Sequence, residues 1–294
     1  MFLHRKYIWT YVAFLVPALL VFTIVRIVPL ILSFRYSFTN WNGFSQSYNF
    51  VGFQNYISLF NDAAIVQSIR NTAVFGIVNP LLVTLFAIPI ALVLNMAIPF
   101  RSLQRVSFFF PSVPSVLIIG YLWLFIFDPT DSGVLNRILH FFGMDPVAWL
   151  AGPNMAMGSL IAVSVWKSAG WHACIYLANL QMISKDYYEA AMIDGANVWQ
   201  KFRYITFPLL APAVSISVTL ILIDSLKIFE LPFALTKGGP GYSTTLLTQI
   251  IIETGVFDRM IGKASALSIV FVLMILVVAI LQLTLLKRRE DKIQ

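Results

Sequence analysis

Six long apolar runs alternate with polar segments along the chain. They lie at about residues 11–33, 72–97, 106–127, 155–181, 208–229 and 263–286. A helix needs about 20 apolar residues to cross the hydrocarbon core of a bilayer, and each run reaches that length. Only helices and closed barrels satisfy all backbone hydrogen bonds inside a membrane. The pattern therefore predicts an all-α, polytopic membrane protein with about six transmembrane helices.

Interruptions in these runs predict local irregularities. Pro80 and Pro89 fall inside the second span, where neighbouring helices can satisfy the freed carbonyl groups. The segment 166–171, WKSAGW, predicts a break within the fourth span, whereas the third span is predicted to be one helix. Between the first two spans, residues 51–60 have the pattern of an amphipathic helix lying at the membrane interface.

Composition agrees with a membrane protein. The chain has 294 residues, of which 59% are hydrophobic and 11% are charged, and its mean hydropathy is +0.82. Soluble domains carry roughly 25% charged residues. The net charge of +7 does not indicate nucleic-acid binding, because the basic residues lie at the chain ends and in short loops.

The distribution of Lys and Arg predicts the orientation, since these residues are enriched in cytoplasmic loops. If both termini are cytoplasmic, eleven basic residues lie inside and four lie outside. The inner residues are Arg5, Lys6, Arg101, Arg105, Lys185, Lys201, Arg203, Lys287, Arg288, Arg289 and Lys292. The outer residues are Arg35, Arg137, Lys237 and Arg259.

The polar stretch 184–208, SKDYYEAAMIDGANVWQKFRYITFP, carries helix start and stop signals. Asp186 as an N-cap, followed by Glu189 three residues later, predicts a helix start, and Gly195 predicts its end at a residue with positive φ. Asn197 followed by Gln200 repeats the start signal. The stretch thus predicts a helix, a glycine bend and a second helix, with the next span beginning at Pro208.

The fifth span carries three ionisable residues, Asp224, Lys227 and Glu230, spaced three apart and so predicted to share one helix face. One interpretation is a polar lining of a substrate path, with Asp224 and Lys227 as a candidate pair. The other is that Lys227 and Glu230 lie in water near the outer surface. Four hydroxyls of this span could contact a solute or bond to their own helix backbone: Ser215, Ser217, Thr219 and Ser225.

No set of residues in the sequence has the pattern of a catalytic or metal-binding site. The three histidines lie far apart in the sequence, and Cys174 is the only cysteine, so an internal disulfide is impossible. The glycine-rich segment 237–245 lacks the spacing of a phosphate-binding loop and predicts a turn. We therefore predict a chain that is not an enzyme and has neither a cofactor nor a metal.

Several motifs carry a family resemblance. Glu189-Ala190-Ala191, Gly195 and Ile205-Thr206-Phe207-Pro208 resemble the cytoplasmic EAA loop of ABC-importer permeases, in which Leu usually stands at the position of Phe207. Three further segments resemble the sugar-type branch (maltose, glycerol-phosphate and multiple-sugar permeases) of that family: residues 51–60, residues 165–183 and the GGP-containing residues 237–245.

The resemblance implies an ABC-importer permease fold with a cytoplasmic coupling helix. It implies an N-terminal part, residues 1–71, with one transmembrane helix and an external loop. The permease core, residues 72–294, would hold five transmembrane helices and the coupling loop 184–208. The residues implied to contact the ATPase are Tyr188, Glu189, Ala190, Ala191, Asp194 and Gly195.

The resemblance also implies partners and a location. The partners would be two copies of an ATP-binding subunit, a second homologous permease subunit and an extracytoplasmic solute-binding protein. The solute would be a sugar or oligosaccharide, and the location the plasma (inner) membrane of a bacterium or archaeon. The alternative is an ion-coupled secondary transporter that uses intramembrane charges such as Asp224 and Lys227.

Overall fold

The computed structural model describes residues 5–96, 99–130 and 132–290, and this part of the chain is helical with no strand. Its α-helices are α1 Arg5–Phe22, α2 Val28–Tyr36, α3 Gln54–Phe60, α4 Ala63–Asn95, α5 Arg101–Phe109, α6 Val116–Ile126, α7 Val134–Phe141, α8 Pro153–Leu180, α9 Lys185–Ile193, α10 Val198–Lys201, α11 Phe207–Leu209, α12 Ala211–Lys227, α13 Glu230–Leu235, α14 Leu247–Ile252 and α15 Ile261–Glu290. The π-helical turns Thr23–Ile27, Phe202–Thr206 and Glu253–Phe257 and a 3₁₀ turn, Phe110–Ser112, lie between them. The all-α prediction is confirmed.

Three stretches of the described chain are long and apolar enough to cross a membrane: Tyr11–Tyr36, Ala63–Asn95 and Ile261–Gln282. Two bent helix pairs raise the number to five if each pair is one span: Arg101–Ser112 with Val116–Ile126, and Val198–Leu209 with Ala211–Lys227. The remaining predicted span, the fourth, corresponds to α8, whose 28 residues give a length of about 42 Å. It is long enough to cross but is less apolar than the other five.

The third predicted span is not one helix. α5 and the 3₁₀ turn meet α6 at an angle of 93°, with the break at residues 113–115. Pro111 lies just before this break and Pro114 lies within it, and neither offers the N–H that continues a helix. The single-helix prediction was therefore wrong.

The fourth span shows the opposite result, since α8 runs without a break through residues 166–171. A side chain at Gly170 would collide with the backbone carbonyl of Phe108 in α5. The glycine therefore serves close helix packing, and the predicted break was wrong.

Other boundaries also differ from the predictions. α4 begins at Ala63 rather than at residue 72, and the part before residue 72 includes the buried polar residues Ser68 and Asn71. The segment 231–262 between the last two predicted spans contains most of α13 and all of α14, so it is partly helical. The helix that passes through Pro208 bends by 65° at Leu210, so the long part of the fifth span begins at Ala211. Two residues used above, Ala97 and Lys292, lie outside the described residues.

The chain forms two compact units. One contains the described residues up to Ala63 together with Ile251–Leu273, and the other contains Ala64–Ile250 and the described residues from Met274. The predicted division into residues 1–71 and 72–294 stays a prediction.

The larger unit has two apolar cores. One core surrounds Phe75, Leu160 and Ile221, which belong to α4, α8 and α12. The other surrounds Ala91 and Tyr176, where small side chains let the same three helices approach closely. These packed helices hold the segments that carry the candidate sites.

Candidate functional site

The predicted coupling segment is a helical hairpin. Its first helix, α9, begins after Ser184, whose Oγ accepts a hydrogen bond from the Asp186 N–H at 3.3 Å. The cap is thus Ser184, and Asp186 lies in the first turn, where its charge suits the positive end of the helix. The prediction of a helix here is confirmed, but its capping residue was wrongly assigned.

The bend of the hairpin follows the prediction. Gly195 has φ +77°, its N–H bonds to the Met192 carbonyl at 3.1 Å, and the Ala196 N–H bonds to the Ala191 carbonyl at 2.8 Å. This pair of bonds is the Schellman arrangement that ends many helices. The second helix, α10, begins with the predicted capping box, in which Asn197 and Gln200 exchange bonds of 2.8 and 2.9 Å.

The hairpin presents apolar side chains to its surroundings. No residue of α9 is buried, and Ile193 is 88% exposed. The predicted contact residues Glu189 and Ala190 are exposed as well, on the same helix. The other exposed apolar side chains of the hairpin are Tyr187, Met192, Val198, Trp199 and Tyr204.

Two cavities flank the hairpin. The first, of about 260 Å³, lies between its two helices and is lined by Ala191, Asp194, Gly195, Gln200, Lys201 and Tyr204 among others. The second, of about 730 Å³, is lined by residues that include Tyr188, Trp199 and Pro89. A 3.0 Å hydrogen bond between the Tyr188 hydroxyl and Thr206 Oγ1 connects α9 to the π-helical turn that follows α10. The structure thus brings all six predicted contact residues onto one hairpin.

The predicted charged residues of the fifth span lie around a separate pocket of about 280 Å³. Asp224 and Lys227 belong to α12, but the helix ends at Lys227, and Ile228 is extended with ψ 132°. Glu230 begins α13, so the prediction of a single helix face was wrong for it. All three nevertheless line the same pocket.

Sequence reasoning missed further residues of this pocket, which are Asn79 from α4 and Lys167, Ser168 and His172 from α8. Lys167 thus shares the pocket with Asp224 and Glu230. Among the described residues, Asp224 and Lys227 do not form a direct ion pair. One signal was available, because Lys167 is the single charged residue of α8.

Two hydroxyls of α12 bond to other helices rather than to their own backbone. Ser217 Oγ lies 2.9 Å from His172 Nδ1, and Ser225 Oγ accepts from Asn79 Nδ2 at 2.8 Å. Thr219 follows the commoner pattern and donates to the Ser215 carbonyl at 2.7 Å. These bonds hold α4, α8 and α12 together beside the pocket.

The glycine-rich segment 237–245 is a tight turn, as predicted. The Asn71 side chain in α4 donates to the carbonyls of Tyr242 and Thr245 at 2.8 and 3.0 Å. Thr244 and Thr245 are buried, and their hydroxyls bond to the carbonyls of Gly239 and Gly238. The turn is therefore fixed to α4 by hydrogen bonds that span more than 170 residues of sequence.

Comparison with known proteins identifies relatives of this chain. The family described as "Binding-protein-dependent transport system inner membrane component" matches residues 63–291. The probable starch degradation products transport system permease protein AmyD of Thermoanaerobacterium thermosulfurigenes is 34% identical over 291 residues, which cover 96% of this chain and 95% of the relative. The trehalose/maltose transport system permease protein MalF of Thermococcus litoralis is 32% identical over 278 residues, with coverage of 94% and 93%.

A solved structure shares the fold. A chain from a bacterial ABC transporter involved in the import of the acidic polysaccharide alginate superimposes with a TM-score of 0.84 at 26% identity, over 96% of each chain. The predicted resemblance to sugar-type permease subunits of ABC importers is confirmed. Because the family covers most of the chain and relatives exceed 30% identity, the chain belongs to the inner membrane components of binding-protein-dependent transport systems.

Proposed function

We propose that the chain is the permease subunit of an ABC importer and forms the path of a sugar or oligosaccharide. An extracytoplasmic binding protein delivers the solute, and ATP hydrolysis takes place on two separate ATP-binding subunits. The observation that carries this proposal is the exposed apolar hairpin 184–208, in a chain whose relatives are named for starch products and for trehalose and maltose.

The hairpin has the properties of a surface that another protein covers. Ile193 is almost fully exposed, although burial of an Ile side chain stabilises a structure by about 1.5–3 kcal/mol. Ala190 and Ala191 are small enough to let a partner approach the helix backbone. Glu189 offers a carboxylate beside this apolar surface, so a cation in the ATPase groove can pair with it.

The charged pocket supports a polar path for the solute. Ionisable groups within membrane helices generally face the bundle interior or a water-filled cavity. The pocket offers amide, hydroxyl, imidazole and charged groups from four helices, and these groups match the hydrogen-bonding needs of a sugar. We infer that Asp224, Lys227, Glu230 and Lys167 line the path.

We infer from the Lys and Arg distribution that both termini are cytoplasmic, which puts the hairpin on the side of the ATP-binding subunits. A second permease subunit of like fold completes the path. The remaining alternative, an ion-coupled transporter, would need neither ATP nor a binding protein.

Reconstituted transport tests the function. The complex purified through this chain, placed in vesicles, should take up radiolabelled maltodextrin only with external binding protein and internal ATP. Uptake driven by a sodium or proton gradient without ATP would contradict the proposal. The absence of any ATP-binding subunit from the purified complex would contradict it too.

The pocket has its own test. Replacing Asp224 or Lys227 with Leu should lower uptake at least several-fold, while the amount of assembled complex stays constant. Asp258→Leu is the matched control, because Asp258 is exposed and does not line the pocket. Normal uptake by both pocket variants would remove these residues from the proposed path.

A further inference from the structure

α3 turns apolar side chains outward, whereas a helix on a water-exposed surface turns its polar side chains outward. Phe53, Ile57 and Phe60 lie at positions i, i+4 and i+7, so they share one face. They are 69%, 63% and 67% exposed. The inward side carries Asn55 and Tyr56, which form internal hydrogen bonds, and Leu59, which is buried. An apolar outer face of this kind indicates an apolar environment.

The polar face fixes α3 to the chain directly after the first apolar stretch. The Asn55 side chain donates to the carbonyls of Ser37 and Thr39, both at 2.8 Å. The Tyr56 hydroxyl donates to Ser37 Oγ at 2.8 Å. The stretch Tyr11–Tyr36 ends one residue before Ser37. α3 is therefore held at the level where this membrane-spanning stretch ends.

Aromatic contacts make the apolar surface continuous from the span to α3. Phe34, which is exposed in α2, packs edge-on against Phe38 at 5.3 Å between ring centroids. Phe38 in turn contacts Phe53 at 5.3 Å and Phe50 at 6.2 Å. Phe50 is 77% exposed. Lipid that covers Phe34 would therefore meet Phe50 and the α3 face without an intervening polar strip.

The lack of charged residues around α3 also indicates an apolar environment. Residues 36–61 contain no Lys, Arg, Asp or Glu, although they form turns and a short helix with exposed side chains. The first charged side chain after them, Asp62, forms an ion pair of 2.7 Å with Lys263. A water-exposed segment of this length would carry charges at a frequency nearer to 25%.

We propose that α3 is a membrane-interface anchor whose face of Phe53, Ile57 and Phe60, together with Phe50, lies in the headgroup region of the bilayer. Helices of this kind bury their apolar face about 5–10 Å into the boundary between headgroups and acyl chains. The anchor sets the depth at which the stretch Tyr11–Tyr36 leaves the membrane. The proposal does not depend on which side of the membrane this end faces.

Spin labels provide the test in the assembled complex in vesicles of phosphatidylethanolamine and phosphatidylglycerol. A Cys174→Ser parent removes the natural thiol, and single cysteines replace Phe53, Ile57 or Phe60. Labels there should collide more often with oxygen than with a water-soluble nickel complex. Gln54→Cys is the control, because Gln54 is exposed on the same helix but outside the apolar face, and its label should show the reverse ratio.

Two results would overturn the proposal. One is a water-like ratio at all three positions of the face. The other is a label that collides rarely with both oxygen and the nickel complex, either in the complex alone or after the binding protein is added. Either outcome would show that a protein partner covers the face. Photoactivatable phospholipid applied to the unsubstituted complex gives an independent measurement. Peptides spanning residues 50–60 should carry the lipid adduct on Phe53, Ile57 or Phe60. If no lipid adduct is found on these peptides, the anchor proposal is contradicted.

Discussion

The hairpin 184–208 and the turn 237–245 are both polar, glycine-containing segments of the larger unit, yet they are stabilised in different ways. The hairpin is held mainly by local hydrogen bonds, such as the capping box between residues three apart. Apolar side chains near its tip, such as Ile193 and Val198, are exposed, whereas Phe202 and Phe207 pack against the core around Ala91. The turn is held by bonds from Asn71, far away in sequence, and its threonine side chains are buried.

We interpret the contrast as follows: the exposed hairpin is a surface for a partner protein, whereas the contacts of the turn are made within the chain itself. Replacing an exposed charged side chain of the hairpin, such as Glu189, should change binding and leave stability nearly unaffected. A substitution at the base of the turn should lower stability. The predictions below test that difference.

The largest effect is expected from Glu189→Lys. If Glu189 pairs with a cation in a desolvated ATPase groove, breaking the contact costs about 2–5 kcal/mol, or at least ~30-fold in affinity. The affinity of the ATP-binding subunit for vesicles containing the variant measures this effect. Asp145→Lys is the control, because it reverses an exposed charge between α7 and α8. Equal affinities for parent and Glu189→Lys would leave the hairpin an ordinary surface segment.

A smaller effect, on stability, is expected from Asn71→Ala. The substitution leaves the carbonyls of Tyr242 and Thr245 without their donor, and an unsatisfied buried group costs about 1–3 kcal/mol. The midpoint of thermal unfolding in detergent should fall, whereas the exposed Asn154→Ala should have no effect. The folded fraction of Asn71→Ala should still bind the ATP-binding subunit normally. Unchanged unfolding would mean that the turn does not depend on this tether.

Gly195→Val separates backbone strain from binding. Positive φ costs a residue with a side chain about 1–2 kcal/mol. Gly143 is a matched control, since it has φ +72° and, like Gly195, no atom within 4 Å of an added Cβ. Both valine variants should lose similar stability, but only Gly195→Val should weaken ATPase capture. Equal capture by the two variants would contradict a binding role for the bend.

The smallest effect is expected from Asn197→Ala, which removes the capping box of α10. Loss of an N-cap costs about 1 kcal/mol. Amide hydrogen exchange should accelerate at residues 198–201, and Asn197→Asp should restore protection because its side chain also accepts the Gln200 N–H. Fast exchange at distant helices as well would show that the hairpin is less local than the structure indicates.

Local features of the chain were predictable because they depend on a few neighbouring residues. Apolar runs of about 20 residues identify membrane helices whatever lies beside them. Gly195 and the Asn197–Gln200 box end and begin helices through bonds within six residues, so the hairpin followed from its sequence. The first cap was misassigned within the same stretch, because both Ser184 and Asp186 can accept such a bond.

Features that depend on contacts between distant helices were decided by the tertiary structure alone. Gly170 looked like a helix break, but it is a packing position that only the approach of Phe108 explains. Lys167, Asp224 and Glu230 meet at one pocket because α8, α12 and α13 converge there, and Asn79 bonds to Ser225 across 146 residues of sequence. The sequence therefore determined the membrane-spanning class of the chain and the hairpin 184–208 through local chemistry. The composition of the pocket followed only from helix packing, which no local pattern encodes.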